Sequence, residues 1–359
     1  MCGINGFFFK NDISSSITQD CINAMNHEIF HRGPNDSGFY IDDKNSLALG
    51  MQRLSIIDIE SGSQPMLSND KNLVIVFNGE IYNYLELRKK LIMNKNVSFK
   101  TNSDTEVILL GYQVWGKKIF SKLNGMFSIA IYDKKNKNII LARDRTGEKP
   151  LYYYKLHDNM VFSSELKAIK VFLKKNLYKK PCISKIGLNL YFSLTYIPSP
   201  YTIYDNIYKL EPGSFMEIDL DTFNFKVNNY WNASFDNNLI IEDYSYAKEK
   251  IRDLVYDSVE KRMRCDVPYG AFLSGGVDSS IITAVMADLK SNEKIKTFSI
   301  ISSNKKFDES ERSNSVSDYC NTDHYPILLD IDSIKNNIDK IILNYDEPFA
   351  DSSALPTYF

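Results

Sequence analysis

The first nine residues constrain this chain more than any other stretch, because a cysteine stands at the second position of an apolar segment. Met1-Cys2-Gly3-Ile4-Asn5-Gly6-Phe7-Phe8-Phe9 predicts a buried strand whose glycines allow a ligand to approach the backbone. If an aminopeptidase removes Met1, Cys2 carries both a thiol and a free α-amine. An α-amine titrates near ~8 and a thiol near ~8.5, so one residue can supply nucleophile and general base. The alternative is that a cysteine stands at position 2 by accident.

Composition indicates an ordinary globular chain. The length of 359 residues suggests two domains, and the hydrophobic fraction of 43% and charged fraction of 25% are those of a packed protein. The net charge is -2, with Lys and Arg interspersed among Asp and Glu. Such a balance leaves no electrostatic footprint for nucleic acid or for an anionic membrane surface. We expect neither as a partner.

The cysteine pattern bears on the compartment. Five cysteines lie far apart and contain no Cys-x-x-Cys spacing, which argues against a disulfide framework and a zinc site. They are Cys2, Cys21, Cys182, Cys265 and Cys320. No stretch has the length and flanks of a signal peptide or a membrane span. We therefore expect a cytoplasmic location.

The first half alternates many short strands with a few helices. Apolar periodicity predicts strands at 3–9, 39–42, 47–54, 73–77, 126–133, 139–143, 151–155 and 160–163. It predicts helices at 16–30, 84–92 and 104–115. A pattern of this kind is typical of stacked antiparallel sheets covered by helices.

Five ordered motifs in this half resemble the class II glutamine amidotransferase domain. They are Cys-Gly-Ile at 2–4, His-Arg-Gly-Pro at 31–34, Arg-Leu-Ser-Ile at 53–56, Asn-Gly-Glu-Ile-Tyr-Asn at 78–83 and Ser-Asp-Thr-Glu at 103–106. The resemblance implies the α+β fold of the N-terminal-nucleophile hydrolases, an αββα sandwich. We assign residues 1–215 to this glutaminase domain.

The resemblance also implies roles for individual residues. Cys2 would attack the side-chain amide of glutamine, and the Asn78 side chain with the Gly79 N–H would form the oxyanion hole. Glutamine is a zwitterion, so its binding needs a cation for the carboxylate and anions for the ammonium. The predicted glutamine-binding residues are Arg53, Leu54, Ile57, Asn78, Gly79, Glu80 and Asp104. Taken singly, the charged residues could be surface groups and the Asn-Gly pair a hairpin turn.

One further stretch follows the same family. It is Ala-Arg-Asp-Arg-Thr-Gly-Glu-Lys-Pro-Leu-Tyr-Tyr at 142–153. Thr146-Gly147 is typical of a turn between two strands. We assign this stretch a structural role, and we interpret His31 as a residue that orders its loop.

Prolines then mark the joint between two domains. Pro198, Pro200 and Pro212 interrupt regular structure, and 224–243 is rich in Asn and Asp and predicts a loop. We place a linker at 216–240. After a predicted helix at 246–263 come a short buried strand at 269–273, a loop at 274–280 and a helix at 281–289. A strand, a glycine-containing loop and a helix form a phosphate site.

The loop Ser-Gly-Gly-Val-Asp-Ser-Ser at 274–280 resembles the pyrophosphate loop of the ATP pyrophosphatases. It lacks the Gly-Lys-Ser/Thr ending of a Walker A loop. The resemblance implies that Asp278 holds Mg²⁺ and that Asp351 is a second ligand of the metal. The ATP-binding residues that it implies are Leu273, Ser274, Gly275, Gly276, Asp278, Ser279, Ser280 and Ile300. A plain loop is the alternative.

Later segments alternate strands and helices, at 296–301, 309–320, 324–329 and 332–344, as in a parallel α/β nucleotide-binding sheet. Together the two halves resemble the glutamine-hydrolysing asparagine synthetases. The resemblance implies an ATP-dependent amidation of aspartate, with glutamine as nitrogen donor and an acyl-adenylate intermediate. The family continues beyond the position of Phe359, so we expect residues 241–359 to be a partial synthetase domain.

Three other readings stay open. The chain could be a glutaminase only, it could amidate a sugar or peptide carboxylate, or it could bind ATP without catalysis. The residues do not determine the acceptor or the oligomeric state. A homodimer is compatible with the family.

Overall fold

A computed structural model of the chain describes residues 1–9, 15–95, 97–156, 159–176, 180–234, 243–290, 292–302 and 308–359. The chain forms two compact units. The first comprises Met1–Ala233 together with Asp346–Phe349, and the second comprises Ser234–Tyr345 with Ala350–Phe359. The first unit therefore extends past the predicted domain end at residue 215.

Two six-stranded antiparallel sheets form the centre of the first unit. The first sheet has the order β10 (Ile207–Lys209), β8 (Tyr152–Leu156), β9 (Asn159–Ser163), β1 (Gly3–Phe9), β3 (Leu47–Arg53) and β2 (Asp36–Asp42). The second has the order β12 (Phe225–Asn229), β11 (Ser214–Asp219), β7 (Asn138–Arg143), β6 (Gly125–Asp133), β5 (Leu73–Ile81) and β4 (Met66–Leu67).

Alternating side chains divide the apolar residues of β1 between two cores. Ile4 and Phe8 belong to the core that both sheets share. Phe7 and Phe9 point the other way and pack with residues of α1 (Ser15–Glu28) and α5 (Leu166–Asn176). This follows from the two-residue period of a strand.

Helices also cover the outer face of the second sheet. They are α2 (Tyr84–Lys95), α3 (Asp104–Trp115) and the short α4 (Ile119–Lys122), and they share a core with β5 and β6. The layers are therefore helix, sheet, sheet, helix, which confirms the predicted αββα sandwich. A further helix, α6 (Lys185–Leu194), follows later in the chain.

The second unit contains a parallel three-stranded sheet. Its order is β13 (Gly270–Phe272), β14 (Lys296–Ser302) and β15 (Asp323–Leu329). Its helices are α7 (Tyr244–Arg262), α8 (Val277–Leu289), α9 (Ser310–Cys320), α10 (Ile331–Asn344) and α11 (Ala354–Tyr358). A helix between successive strands gives parallel pairing, and the predicted α/β architecture is confirmed.

Two local predictions were wrong. The segment 224–243, predicted as a loop, contains β12, which pairs with β11 from Ser214↔Asn229 to Ile218↔Phe225. The proposed linker at 216–240 thus includes sheet strands, while 235–242 lie outside the described residues. The strand predicted as buried at 269–273 leaves Phe272 89% exposed, although Leu273 is fully buried.

Two general features of the chain concern membranes and thiols. No helix within the described ranges combines the length and the apolar character needed to cross a bilayer. All five cysteines are free thiols in this structure.

A buried carboxylate holds the turn that follows β7. Asp144 is fully buried, and its two oxygens accept five backbone N–H groups at 2.6–3.2 Å. The donors are those of Phe127, Thr146, Gly147, Glu148 and Lys149. Because buried backbone donors are costly to leave unpaired, this one side chain determines the course of the turn.

We expect Asp144→Ala to lower the free energy of unfolding by about 3–5 kcal/mol, because five backbone N–H groups, those of Phe127 and Lys149 buried, lose their acceptor. Urea unfolding measures the change. Asp221→Ala is the matched control, since Asp221 forms an exposed ion pair with Lys137, and it should cost less than about 1 kcal/mol. Equal losses in the two variants would show that Asp144 does not hold the turn.

Candidate active site

A cleft in the first unit lies where β1 begins. It brings Cys2 together with every residue predicted to bind glutamine. Those residues are Arg53, Leu54, Ile57, Asn78, Gly79, Glu80 and Asp104. The lining also contains residues that carry no predicted role in glutamine binding, namely Met1, Ile56, Gly62, Gln64, Phe77, Ser103, Thr105, Met126 and Lys149.

Cys2 is held by the strand end and by its neighbours. Its Sγ donates to the carbonyl oxygen of Leu54 at 3.5 Å and accepts from the Leu54 N–H at 3.4 Å. The Cys2 carbonyl oxygen accepts from Arg32 Nε at 2.8 Å. Burial raises the pKa of the Cys2 thiol, against a lowering effect of the Leu54 N–H. The thiol therefore needs a base or nearby cations to become a nucleophile.

Arg53 is 5% exposed and shapes one wall of the cleft. Its guanidinium donates to the carbonyl oxygens of Ile59, Ile57 and Asp58 at 3.1, 3.2 and 2.6 Å. A guanidinium carries five N–H donors, and three of them go to these carbonyls. Arg53 can thus hold the loop and still present donors to a carboxylate.

Asn78 and Gly79 lie inside β5, so they do not form the hairpin turn that was the alternative. The Asn78 side chain is fully buried, and its Nδ2 donates to Ser128 Oγ at 3.4 Å. A Cβ at position 79 would lie 2.0 Å from the carbonyl oxygen of Met126. Only glycine fits there, which keeps the backbone of β5 accessible beside the thiol.

Asp104 begins α3, with Ser103 as its N-cap. The Asp104 Oδ2 accepts from the Ile81 N–H at 3.0 Å. Burial raises the pKa of Asp104 to about 7, and the Glu80 carboxylate adds to the rise. The side chain is thus poised between its neutral and charged forms near neutral pH, and a bound cation would ionise it.

Two buried residues of the cleft were missed from the sequence. Gln64 accepts from the Phe77 N–H at 2.7 Å and donates to Thr105 Oγ1 at 3.2 Å, so it ties the loop to β5 and α3. Lys149 is 4% exposed and lies in the stretch 142–153. That stretch was the available signal, but we had interpreted it as structural only.

The predicted phosphate loop joins β13 to α8 in the second unit. Gly275 has φ +78°, which suits glycine. Ser274 Oγ lies 3.1 Å from Ser279 Oγ and accepts from the Gly276 N–H at 3.3 Å, and Ser280 Oγ donates to the Gly276 carbonyl at 2.7 Å. Three hydroxyls thus gather at the start of the helix, an arrangement that suits an anion.

The flanking residues of this loop differ in exposure. The fully buried Leu273 donates its N–H to the carbonyl oxygen of Phe298 at 2.8 Å and accepts from Ser299 Oγ. Ile300 lies farther along β14 and is half-buried. The loop is therefore anchored to the neighbouring strand by backbone groups.

The two predicted metal ligands are exposed. Asp278 lies in the first turn of α8, and the Asp351 carboxylate accepts from the Ser353 N–H at 2.8 Å. The described residues contain no group of three or more His, Cys, Asp or Glu side chains that could hold a metal. Protein sites for Mg²⁺ often supply one or two carboxylates and leave the remaining ligands to phosphates and water. A single exposed carboxylate of this kind suits an ion that arrives with a nucleotide.

Comparison with known proteins gives the following matches. A family described as "Glutamine amidotransferase domain" matches residues 1–231, and one described as "Asparagine synthase" matches residues 250–359. Asparagine synthetase [glutamine-hydrolyzing] 1 of Bacillus subtilis is 38% identical, covering 100% of this chain and 55% of its own length. A Methanocaldococcus jannaschii protein, provisionally named a second such synthetase, is 42% identical. The match covers 100% of this chain and 70% of the length of that protein.

The chain thus spans little more than half the length of the Bacillus relative. Among solved structures, a glutamine phosphoribosylpyrophosphate amidotransferase from B. subtilis matches at 16% identity with a TM-score of 0.46, covering 94% of this chain and 70% of that one. A likeness of this size adds nothing to the sequence matches.

Asp104→Asn should stabilise the protein relative to the wild type, and the gain should be larger at about pH 8 than at about pH 5. The folded pKa of Asp104, about 7, exceeds the unfolded value of ~3.9. Its contribution to stability is therefore complete below ~4 and is lost as pH rises to about 7. Asparagine avoids that loss and can still accept the Ile81 N–H. We expect a gain on the order of a few kcal/mol in urea unfolding.

The control is Asp70→Asn. Asp70 is exposed, and hydrogen bonds from Ser68 and Asn72 lower its pKa, so its neutralisation should bring no gain at the higher pH. If Asp104→Asn gains equally at both pH values, the Asp104 carboxyl does not titrate as described.

Proposed function

Because this chain belongs to the glutamine-hydrolysing asparagine synthetase family, we propose that its first unit hydrolyses the side-chain amide of glutamine at Cys2. The observation that supports this most is the convergence of one thiol with donors and charges of both signs on a single cleft. The residues are Cys2, Arg53, Asn78, Gly79, Glu80 and Asp104. They come from four separate segments of the chain.

Hydrolysis starts from the mature amino terminus, once Met1 has been removed. The Cys2 thiol gives its proton to its own α-amine, and Sγ attacks the amide carbon of glutamine. Asn78 Nδ2 and the Gly79 N–H stabilise the oxyanion. The protonated amine then gives its proton to the leaving nitrogen, which departs as ammonia. Water hydrolyses the thioester and releases glutamate.

Charge complementarity orients the substrate. Arg53 binds the α-carboxylate of glutamine, and Glu80 with Asp104 binds the α-ammonium. Burial raises the pKa of Asp104. It also strengthens the attraction of this carboxylate for an incoming cation, because the cation replaces the hydration that the carboxylate has lost. Hydrolysis removes the amide nitrogen of glutamine, so the product released from this site is glutamate.

The second unit supplies the synthetase half of the proposal. ATP binds with its phosphates at residues 274–280. Asp278 and Asp351 would hold Mg²⁺, which would neutralise phosphate charge. The carboxylate of aspartate attacks the α-phosphorus, giving an acyl-adenylate and pyrophosphate. Ammonia then displaces AMP and forms asparagine. The gathered hydroxyls of Ser274, Ser279 and Ser280 support the phosphate site.

A second candidate is glutamine hydrolysis without synthesis. The convergence of the glutamine-binding residues on the Cys2 cleft supports this half of the chemistry by itself. Separate measurement of glutamate and AMP distinguishes the two.

A screen of acceptors tests sugar or peptide carboxylates in place of aspartate, and ATP binding without glutamate release would indicate a non-catalytic protein. A homodimer and a cytoplasmic location complete the proposal.

Cys2→Ala should abolish glutamate release from glutamine, because no other thiol lies on the described cleft lining. We expect a loss of at least about 10³-fold. Any AMP formation driven by added ammonium salt should be unchanged, since it bypasses the thiol. Cys182→Ala is the control, because Cys182 is exposed, and it should keep full activity. Residual glutamate release in Cys2→Ala would contradict the assignment of the nucleophile.

The KM for glutamine should rise as pH falls below about 7, because Asp104 becomes protonated and loses its attraction for the ligand ammonium. The limiting slope is about tenfold per pH unit. Steady-state glutamate release between about pH 5.5 and 8.5 measures the change. Asp104→Asn should have a high KM that no longer changes through this range. A wild-type KM that stays constant between about pH 6 and about pH 8 would contradict this account.

A further inference from the structure

Lys149 lies on the wall of the glutamine cleft, and the proposed chemistry gives it no task. Its side chain is 4% exposed. Burial disfavours an ammonium and lowers the pKa of Lys149. A cation is therefore kept here against an unfavourable desolvation free energy, next to the reacting groups.

The backbone of Lys149 is fixed on both sides. Its N–H donates to Asp144 Oδ2 at 2.9 Å, and its carbonyl oxygen accepts from Arg143 Nε at 2.8 Å. Pro150 follows and restricts the chain further. The turn that Asp144 holds thus directs one buried lysine into the cleft, which gives the stretch 142–153 a task beyond joining two strands.

The ammonium contacts the residue that maturation removes. Lys149 Nζ donates to Met1 Sδ at 2.9 Å, and a thioether is only a weak acceptor. When Met1 leaves, this contact disappears and the chain begins at the amine of Cys2. The buried ammonium then loses its thioether partner and shares the cleft with the residue that now carries the free amine.

Several charges surround this corner of the cleft. Lys149 interacts electrostatically with Glu80 from β5, Arg32 and, on its own turn, Glu148 and Asp144. The charge of Arg53 lowers the pKa of the Cys2 thiol, and the charge of Asp104 raises it. Any pH dependence in this corner of the cleft reflects all of these groups.

The cations act on the amine in one direction. In the chain that still carries Met1, burial lowers the pKa of the Met1 α-amine, Arg32 and Lys149 lower it further, and Cys2 and Glu80 oppose them. We extend this effect to the Cys2 α-amine, which begins the chain once Met1 is removed. Arg32 already binds the Cys2 carbonyl oxygen. A cation disfavours a protonated amine nearby and favours a thiolate. Both effects help at neutral pH, because burial alone would keep the thiol protonated.

We propose that Lys149 is a positioning residue of the glutaminase site, whose ammonium holds the mature Cys2 α-amine in the neutral form that accepts the thiol proton. The inference rests on the proposed glutamine hydrolysis. The proton moves from Sγ to the amine, Sγ bonds to the amide carbon, the carbon–nitrogen bond breaks, and the amine proton leaves with the nitrogen. Lys149 neither gives nor takes a proton.

The test compares pH profiles of kcat for glutamate release in the wild type, Lys149→Met and Lys149→Arg. We choose kcat because the low-pH fall of kcat/KM also contains the titration of Asp104 in the free protein. Removing the charge should move the low-pH fall of the profile upward by about one pH unit. Activity near pH 6.5 then drops about tenfold and recovers toward pH 9. Lys149→Arg should keep the wild-type profile. Mass spectrometry of each protein confirms that Met1 is absent.

Lys174→Met is the matched control, because Lys174 is exposed on α5, and its profile should be unchanged. A uniform loss in Lys149→Met at all pH values would show a structural role only. A raised KM with an unmoved profile would show that Lys149 serves Glu80 and the substrate. Either result overturns the inference.

The pH dependence of Cys2 alkylation by iodoacetamide reports on the ionisation of the amine and the thiol in the absence of glutamine. Its midpoint should move to higher pH in Lys149→Met, and an unchanged midpoint overturns the inference. If the wild type releases no glutamate, the proposed function fails and alkylation alone decides the role of Lys149. Lys149→Gln, which keeps a donor without the charge, replaces Lys149→Met in both assays if the latter does not unfold cooperatively.

Discussion

The pairing of β1 with β9 on one side and β3 on the other positions the thiol, and the rest of the first unit is arranged around it. All seven residues of β1 are buried, and their side chains alternate between two cores. Burying each large apolar side chain contributes about 1.5–3 kcal/mol, and a one-residue slip would exchange the two faces. The register is therefore strongly determined. Cys2, one residue before the strand, is placed at the cleft with the same precision.

The charged groups of the cleft are held by backbone atoms. Carbonyl groups of 57–59 hold the Arg53 guanidinium, and the Ile81 N–H holds the Asp104 carboxylate. For Lys149 it is the backbone that is fixed, by the Asp144 carboxylate. Groups fixed before the substrate arrives need little reorganisation during the reaction, and their electrostatic effect is larger because water is excluded. Burial has a second consequence, since it shifts the pKa of Cys2, Asp104 and Lys149 toward their neutral forms. Opposite charges in the complete site counteract that shift.

The phosphate loop of the second unit depends on a different constraint. Parallel pairing of β13 with β14 sets the start of α8 at the carboxyl end of the sheet, where free N–H groups and the hydroxyls of Ser274, Ser279 and Ser280 meet. These hydroxyls bond to one another and to the Gly276 backbone. A bound phosphate would exchange those bonds for charge-assisted ones, which are stronger.

Resemblance to a known family supplied the αββα sandwich and the residues of the glutamine cleft, whereas local patterns by themselves determined the types of most elements and the parallel α/β architecture. They could do so because periodicity and turn chemistry act over a few residues. Only the tertiary structure showed that 225–229 is a strand, since its partner β11 supplies the hydrogen bonds. It alone brought Gln64 and Lys149 to the thiol, and only burial could raise the pKa of Asp104 to about 7. Convergence and desolvation depend on distant segments, and no short stretch of sequence contains them.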